Sequence, residues 1–384
     1  MRGSEFAPWP DVATARFVLQ QLTGRTLPES GEVNWEDRGL AVGALAGWLT
    51  AHGLGPLAYA RCRRAWPALG AALQADVVSA VAESSWQQAS LSRLKSAFAA
   101  AGLPLVLLKG AALGIGVYDE PAQRTMSDVD IWAPAGEMPT VARVMGELGY
   151  RSSIKAERPL ALEQLSQGEI RFVQPGWQVG LVEAHWSPFL GWWLARTADV
   201  DDPGIWARLA QVGDETGVYQ LCPEDMIIHL AVHTAVNHQF GMSALRSLVD
   251  MALTAQKRGV DWGEAAERAA AWRVGTAVST VLELLDQLIG VDGMEEKLGG
   301  IRPSAVRRYL LRRLVTPESV LAGRDVRHGW QRYALLLLLV DRPRDAARLL
   351  WRTVWPEAAW LAARYGEPTG HGRHLWRLVR RRAV

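Results

Sequence analysis

Asp128 and Asp130 stand two residues apart in the run SDVDIW, and a third carboxylate, Glu183, stands in LVEAHW further along the chain. Residues two apart in a strand face the same side, so both aspartates can share one divalent cation. Mg²⁺ (or Mn²⁺) is the expected ion. It is hard, takes oxygen ligands, and is usually held by one or two carboxylates, with water and substrate phosphates completing the shell. Moving a phosphoryl or nucleotidyl group generally needs one more carboxylate, to ligate a second ion or activate the acceptor. Glu183 is the candidate, and His185 follows two residues later on the same face. As a lone acid at a sheet edge Glu183 would carry no such meaning. If its strand lies beside that of the aspartates, the three carboxylates converge.

Lys109 and Gly110 end an apolar run and open a helix-like segment. A glycine there lets backbone approach a phosphate, the helix N-terminus offers N–H groups, and Lys109 adds a point charge. Arg124, just before the acidic pair, is suited to steadying charge on the transferred group. The plainer readings are a solvated strand end for Lys109 and an ion pair from Arg124 to Asp119 or Glu120. His229 and His233 are spaced i, i+4 in HLAVHTAVNH, which raises zinc. The glutamate of the metalloprotease motif is absent, and His238 is half a turn out of phase with His229. Packing or hydrogen bonding against the α/β region, with one imidazole touching substrate, is the better expectation.

These residues need a small sheet to hold them. From Pro8 to about Ala101 apolar residues recur three and four apart, the helical period. At Pro104 the pattern changes to PLVLLKG, a buried-strand signature. Further strands are expected at Asp128 to Ala133, Tyr150 to Ile154, Glu169 to Gln174 and Gln178 to Trp186, with an amphipathic helix from Gly136 to Leu148 and a hairpin turn at Pro175-Gly176. After Pro188 the helical period returns, including one long segment from Pro223 to Gly259 with Glu224 and Asp225 in its first turn. The expected fold is therefore α+β and mostly helical. Residues 1–6, MRGSEF, read as an expression leader; 7–100 is a helical region, 101–190 an α/β domain, and 191–384 a second helical region.

A length of 384 residues with 49% hydrophobic content is that of a folded globular protein. No apolar run approaches the roughly 20 residues of a membrane span, so none is expected. Two widely separated cysteines, Cys62 and Cys222, are in no metal-ligand spacing and suit buried free thiols in a reducing cytoplasm. The net charge of +2 conceals an asymmetry: residues 301–384 carry 18 Lys+Arg against 6 Asp+Glu, or +12, which leaves −10 for the first 300. Such a basic, Trp-rich tail can attract nucleic acid, anionic lipid or an acidic partner. With no nucleic-acid-binding motif beside the charge, nucleic acid is not the expected partner.

The combination of LKG at 108–110, Tyr118, Arg124, SDVDIW, VEAHW, and PEDMIIHLAVH with the later LRSLVD resembles the bacterial uncharacterised nucleotidyltransferase family of the DNA polymerase β-like superfamily. The resemblance runs from about Leu91 to Gly259. It implies that Asp128 and Asp130 are the metal-binding pair, Glu183 the third carboxylate, and a nucleoside triphosphate the donor. Lys109 and Gly110 occupy the place of the superfamily's Gly-Ser phosphate-binding turn, but the serine hydroxyl is missing. Family members occur near ribosomal-peptide genes, lasso peptides included, so a peptide or small-molecule acceptor is implied. Two rivals differ in class: a glycosyl- or phosphotransferase using the same metal site, and a catalytically degenerate peptide-binding protein. The order of motif and apolar run favours nucleotidyl transfer over sugar transfer, and the presence of all three carboxylates argues against decay.

Overall fold

The computed structural model describes residues 10–24, 41–153, 168–175, 180–189, 191–213, 216–323, 327–365 and 370–380. The MRGSEF leader, the end of the expected third strand at Ile154, and Gly176 of the expected hairpin turn lie outside them.

The molecule is mostly helical around one mixed sheet. Its strands are β1 (Leu105–Leu107), β2 (Val129–Trp132), β3 (Arg151–Ser153), β4 (Glu169–Val173), β5 (Leu181–His185), β6 (Ala210–Gln211) and β7 (Val218–Gln220), in the order β3-β4-β5-β2-β1-β7-β6. Every residue of β1 and β2 is buried, the result expected of continuous apolar runs covered on both faces. The helix Lys109–Gly116 follows β1 and the helix Met138–Glu147 follows β2, while the helix Pro67–Ala100 packs against both β1 and the latter helix. That helix has 34 residues and is about 51 Å long at 1.5 Å per residue. One continuous apolar cluster runs from Ala15 to Leu349.

Two features differ from the sequence pattern. After Pro188 the chain is not helical throughout, because β6 and β7 extend the sheet, with β7 parallel to β1. At two and three residues these strands are too short to show a period. The segment from Pro223 to Gly259 is also two helices, Pro223–Val232 and Ala244–Arg258, rather than one. A π-helical turn, His233–Asn237, ends the first, and Gln239 and Phe240 follow with φ of 48° and 59°. An α-helix cannot contain left-handed residues, and burial of the Phe240 ring, only 2% exposed, offsets that backbone cost.

Beyond Ile301 the helices Ala305–Leu314, Gly329–Leu338 and Pro343–Val354 touch the core through few side chains, chiefly Leu311, Leu335 and Leu349. Asp341 ties this region down by capping the helix Gly275–Leu288, accepting from Gly275 N at 2.9 Å and Thr276 N at 2.7 Å. Trp193 Nε1 donates to the Leu336 carbonyl at 2.9 Å. Among the described residues no helix is long and apolar enough to cross a membrane. Cys62 is buried, but Cys222 is only half-buried, with Arg268 donating to its Sγ at 3.2 Å.

Candidate active site

The register of the sheet builds an acidic cluster. β2 and β5 run parallel with Asp130 opposite Glu183 and Trp132 opposite His185. β4 runs antiparallel on the other side of β5, with Arg171 opposite Glu183 and Glu169 opposite His185. Because side chains alternate, Asp130, Glu183 and His185 emerge on one face. Their ligand atoms all lie within 4.8 Å of one another, and all three residues are buried. Two carboxylates and an imidazole on adjacent strands fit one divalent cation, since carboxylates suit Mg²⁺ or Mn²⁺ and imidazole suits the transition ions. Glu169 lies 3.6 Å from His185 Nδ1, too far for a hydrogen bond but on the side from which a carboxylate orients a metal-bound imidazole.

Asp128 lies one residue before β2 and is not one of the three. Its Oδ1 accepts from Ser127 Oγ at 3.1 Å, and it lines the same cavity. Burial raises its pKa, and the neighbouring Asp130 charge adds to this. Asp130 behaves oppositely. Burial would raise its pKa, but Lys109 Nζ and His185 Nε2, both 2.7 Å from Oδ1, outweigh that and hold it well below the usual carboxylate range. Lys109 opens its helix with φ of 45°, a left-handed conformation for a non-glycine residue, and its Nζ is drawn onto Asp130. A Cβ at Gly110 would sit 3.0 Å from Met126 Cβ, so the turn has no room for a side chain.

Arg124 lines the cavity but points its charge elsewhere. Its Nε and Nη2 grip the Asp250 carboxylate at 2.7 to 3.0 Å, and Tyr118 OH donates to the same carboxylate at 2.7 Å. The ion pair is thus to Asp250, not to Asp119 or Glu120, and Asp119 instead meets Lys257. Burial pushes the Tyr118 hydroxyl well above its ordinary pKa, and the Asp250 charge adds to the effect. Gln87, from the helix Pro67–Ala100, donates to the Met126 carbonyl at 2.7 Å. Together these contacts fix the segment 121–127 that delivers Asp128.

The facing wall is helical and carries imidazoles. The π turn places His238, five residues after His233, so that the two Nε2 atoms are 2.7 Å apart. The half-turn mismatch read from a regular helix therefore does not hold. His229 packs edge-on against Phe189, and neither of its ring nitrogens makes a well-formed hydrogen bond, although the Pro188 carbonyl is near. Burial lowers its pKa to about 3, with the Lys109 charge contributing, and burial likewise holds His233 well below its ordinary value. Both are neutral near pH 7.

The two walls enclose a cavity of about 600 Å³ containing Asp128, Asp130, Glu183, Lys109, His229 and Arg246. That space suits a ligand of nucleotide size. Residues 40–290 match the family described as uncharacterised nucleotidyltransferase. The chain belongs to that family. The uncharacterised nucleotidyltransferase segment takes in the whole sheet, the acidic cluster and both helices of the facing wall, and it stops before the basic region after Ile301. Membership points to a transferase acting on a nucleotide, and the buried Asp-Glu-His cluster supplies a place for a metal ion. No curated protein and no solved structure matches the chain.

Sequence reasoning nominated Asp128, Asp130, Glu183, Lys109, Gly110 and Arg124, and all except Glu183 come from the single stretch around β1 and β2. It did not nominate Glu169, Arg171, Asp250 or Arg246. The alternation in EIRF beside VEAH carried a signal for the first two, once those strands are paired. The Arg-x-x-x-Asp spacing of LRSLVD carried one for the others.

Proposed function

We propose that the protein is a divalent-metal-dependent nucleotidyltransferase. It moves a nucleotidyl group from a nucleoside triphosphate to a hydroxyl or phosphate of a peptide or small molecule, a ribosomal peptide natural product being one acceptor of that class. The observation that carries this reading is the β2–β5 register, which sets Asp130 beside Glu183 and His185 inside the cavity of a nucleotidyltransferase-family chain.

Asp130, Glu183 and His185 hold the ion. Mg²⁺ or Mn²⁺ bound there neutralises charge on the donor phosphates. Asp128, outside the triad on the same wall, takes the proton of the acceptor hydroxyl. The acceptor oxygen forms a bond to the α-phosphorus as the bond from that phosphorus to the bridging oxygen breaks, and the electron pair leaves with pyrophosphate. Gly110 lets the backbone approach the phosphates and Lys109 adds positive charge beside Asp130. Arg124 acts through Asp250 as a positioning residue for the Asp128 segment. Most of the rate gain is positioning and charge stabilisation.

The test is thermal melting with a panel of nucleoside triphosphates and nucleotide sugars, with and without Mg²⁺ or Mn²⁺, for the parent and for Asp128→Ala/Asp130→Ala. A ligand that binds only the folded state raises the melting point. A metal-dependent rise with one triphosphate, absent in the double variant, supports nucleotidyl transfer. A rise with nucleotide sugars alone moves the reading to glycosyl transfer, and no rise with any donor overturns the enzyme reading.

A further inference from the structure

Four cationic side chains line the cavity: Lys109, Arg124, Arg171 and Arg246. Three are held by carboxylates, Lys109 by Asp130 at 2.7 Å, Arg124 by Asp250 at 2.7 Å and Arg171 by Glu183 at 3.0 Å. Arg246 has no carboxylate partner among the described residues. Its Nη1 donates to the Thr125 carbonyl at 3.2 Å and to Thr125 Oγ1 at 3.3 Å, which leaves Nε and Nη2 for a ligand. Gly53 presses on it from behind: a Cβ there would lie 2.8 Å from both Arg246 Nη1 and Thr125 Oγ1. The guanidinium is therefore fixed in place, charged, and short of an anion.

Its surroundings suit phosphate oxygens. Arg246 lies in the first turn of the 15-residue helix Ala244–Arg258, whose N-terminus opens onto the cavity at Ser243. Unpaired N–H groups and the helix dipole favour an anion there. Ser243 Oγ is buried with no hydrogen-bond partner. Across the same cavity His229, 3% exposed, also has no well-formed partner for either ring nitrogen. Unsatisfied buried polar atoms that converge on a cavity mark a ligand-binding surface.

We infer that Arg246, Ser243 and the N-terminus of the helix Ala244–Arg258 form the subsite for the polyphosphate tail of the donor. This rests on the nucleotidyl-transfer reading and supplies, from the facing wall, the hydroxyl contact that the Lys109-Gly110 turn lacks. A guanidinium takes phosphate with two parallel hydrogen bonds, which a lysine cannot reproduce.

The experiment is calorimetric titration with inorganic tripolyphosphate and, separately, with nucleoside triphosphates plus Mg²⁺. It compares the parent, Arg246→Gln, Arg246→Lys, Ser243→Ala and Asp130→Asn, each checked by circular dichroism. The parent is expected to bind tripolyphosphate. Arg246→Gln weakens that binding roughly 10- to 100-fold, the range for a charged hydrogen-bond partner, and Ser243→Ala weakens it several-fold. Arg246→Lys keeps the charge yet falls short of the parent, and it serves as the decisive variant if Arg246→Gln fails to fold. Unchanged tripolyphosphate affinity in the folded Arg246 variant overturns the subsite. Metal-dependent nucleotide binding that Asp130→Asn loses and the Arg246 variants keep overturns the subsite alone. Tripolyphosphate binding without binding of any nucleoside triphosphate supports the subsite and overturns nucleotidyl transfer. No binding of either overturns both.

Discussion

The sheet wall and the helix wall of the cavity neutralise buried polarity by opposite means. On the sheet wall each buried charge has a counter-charge on the same or the next strand: Asp130 with Lys109, Glu183 with Arg171. On the helix wall the imidazoles of His229 and His233 shed their charge through burial, and Arg246 keeps its own against only hydroxyl and carbonyl oxygens. Burial, followed by repulsion from Arg124, lowers the Arg246 pKa only to about 10, so it remains a cation near neutrality. A wall of matched charges suits a metal ion, which can exchange with the cations. A wall with one unmatched cation suits an incoming anion. Catalysis and substrate capture are thereby assigned to different parts of the chain.

The sharpest way to break this contrast is Asp130→Asn. It should abolish metal-dependent nucleotide protection against melting and lower turnover about a thousandfold, the several kcal/mol of charge stabilisation that a metal site supplies. Equal activity in the variant would dissolve the distinction between the walls. Next comes Asp250→Ala, which strands Arg124 and Tyr118 in the interior. Urea unfolding should show a loss of about 3–5 kcal/mol, the cost of removing one partner from a buried ion pair. A loss below about 1 kcal/mol would mean that solvent reaches Arg124.

The helix wall predicts its own pH dependence. As pH falls below about 6.5 the unfolded chain takes up protons at His229 and His233, while folded His229 resists protonation until about pH 3. The unfolded state then binds more protons, so stability falls with falling pH, by up to about 1.4 kcal/mol per pH unit for each histidine. Melting curves between pH 7 and 5 should steepen this loss in the parent relative to His229→Gln/His233→Gln. Parallel curves would show that the imidazoles are hydrated.

Smaller effects refine the picture. Gly53→Ala meets both a φ of 67° and the Arg246 guanidinium, and should cost about 1 kcal/mol or more along with tripolyphosphate affinity. Gly43→Ala, in a helix with nothing within 4 Å, should stabilise by up to about 1 kcal/mol and leave affinity alone. At the far end of the scale Trp351→Ala, at a side chain 57% exposed, should change stability by no more than about 0.5 kcal/mol.

The sheet wall was readable because its chemistry sits on short apolar strands with acids at even spacing. The period-2 rule then places Glu183 and His185 on one face before any pairing is known. What could not be read was the pairing itself, since register is a long-range property: Arg171 acquires its meaning only when β4 is laid beside β5. The fold class was legible from the switch of period at Pro104 and its return after Pro188. β6 and β7 were not, being shorter than a period. The helix wall was least legible. Arg246 and Arg124 look alike as sequence, and only the capture of Arg124 by Asp250 separates a framework cation from an available one.

The π turn at His233–Asn237 has a further consequence. It is one residue wider than an ordinary turn, so deleting a single residue there would restore α-helical winding and swing everything downstream by about 100°. The core helix Pro223–Val232 precedes the turn and would stay in place, while His238 would leave His233. A one-codon change could thus re-cut the substrate side of the cavity without touching the strands that carry its acids, giving the family a cheap evolutionary route to new acceptors on an unchanged catalytic floor.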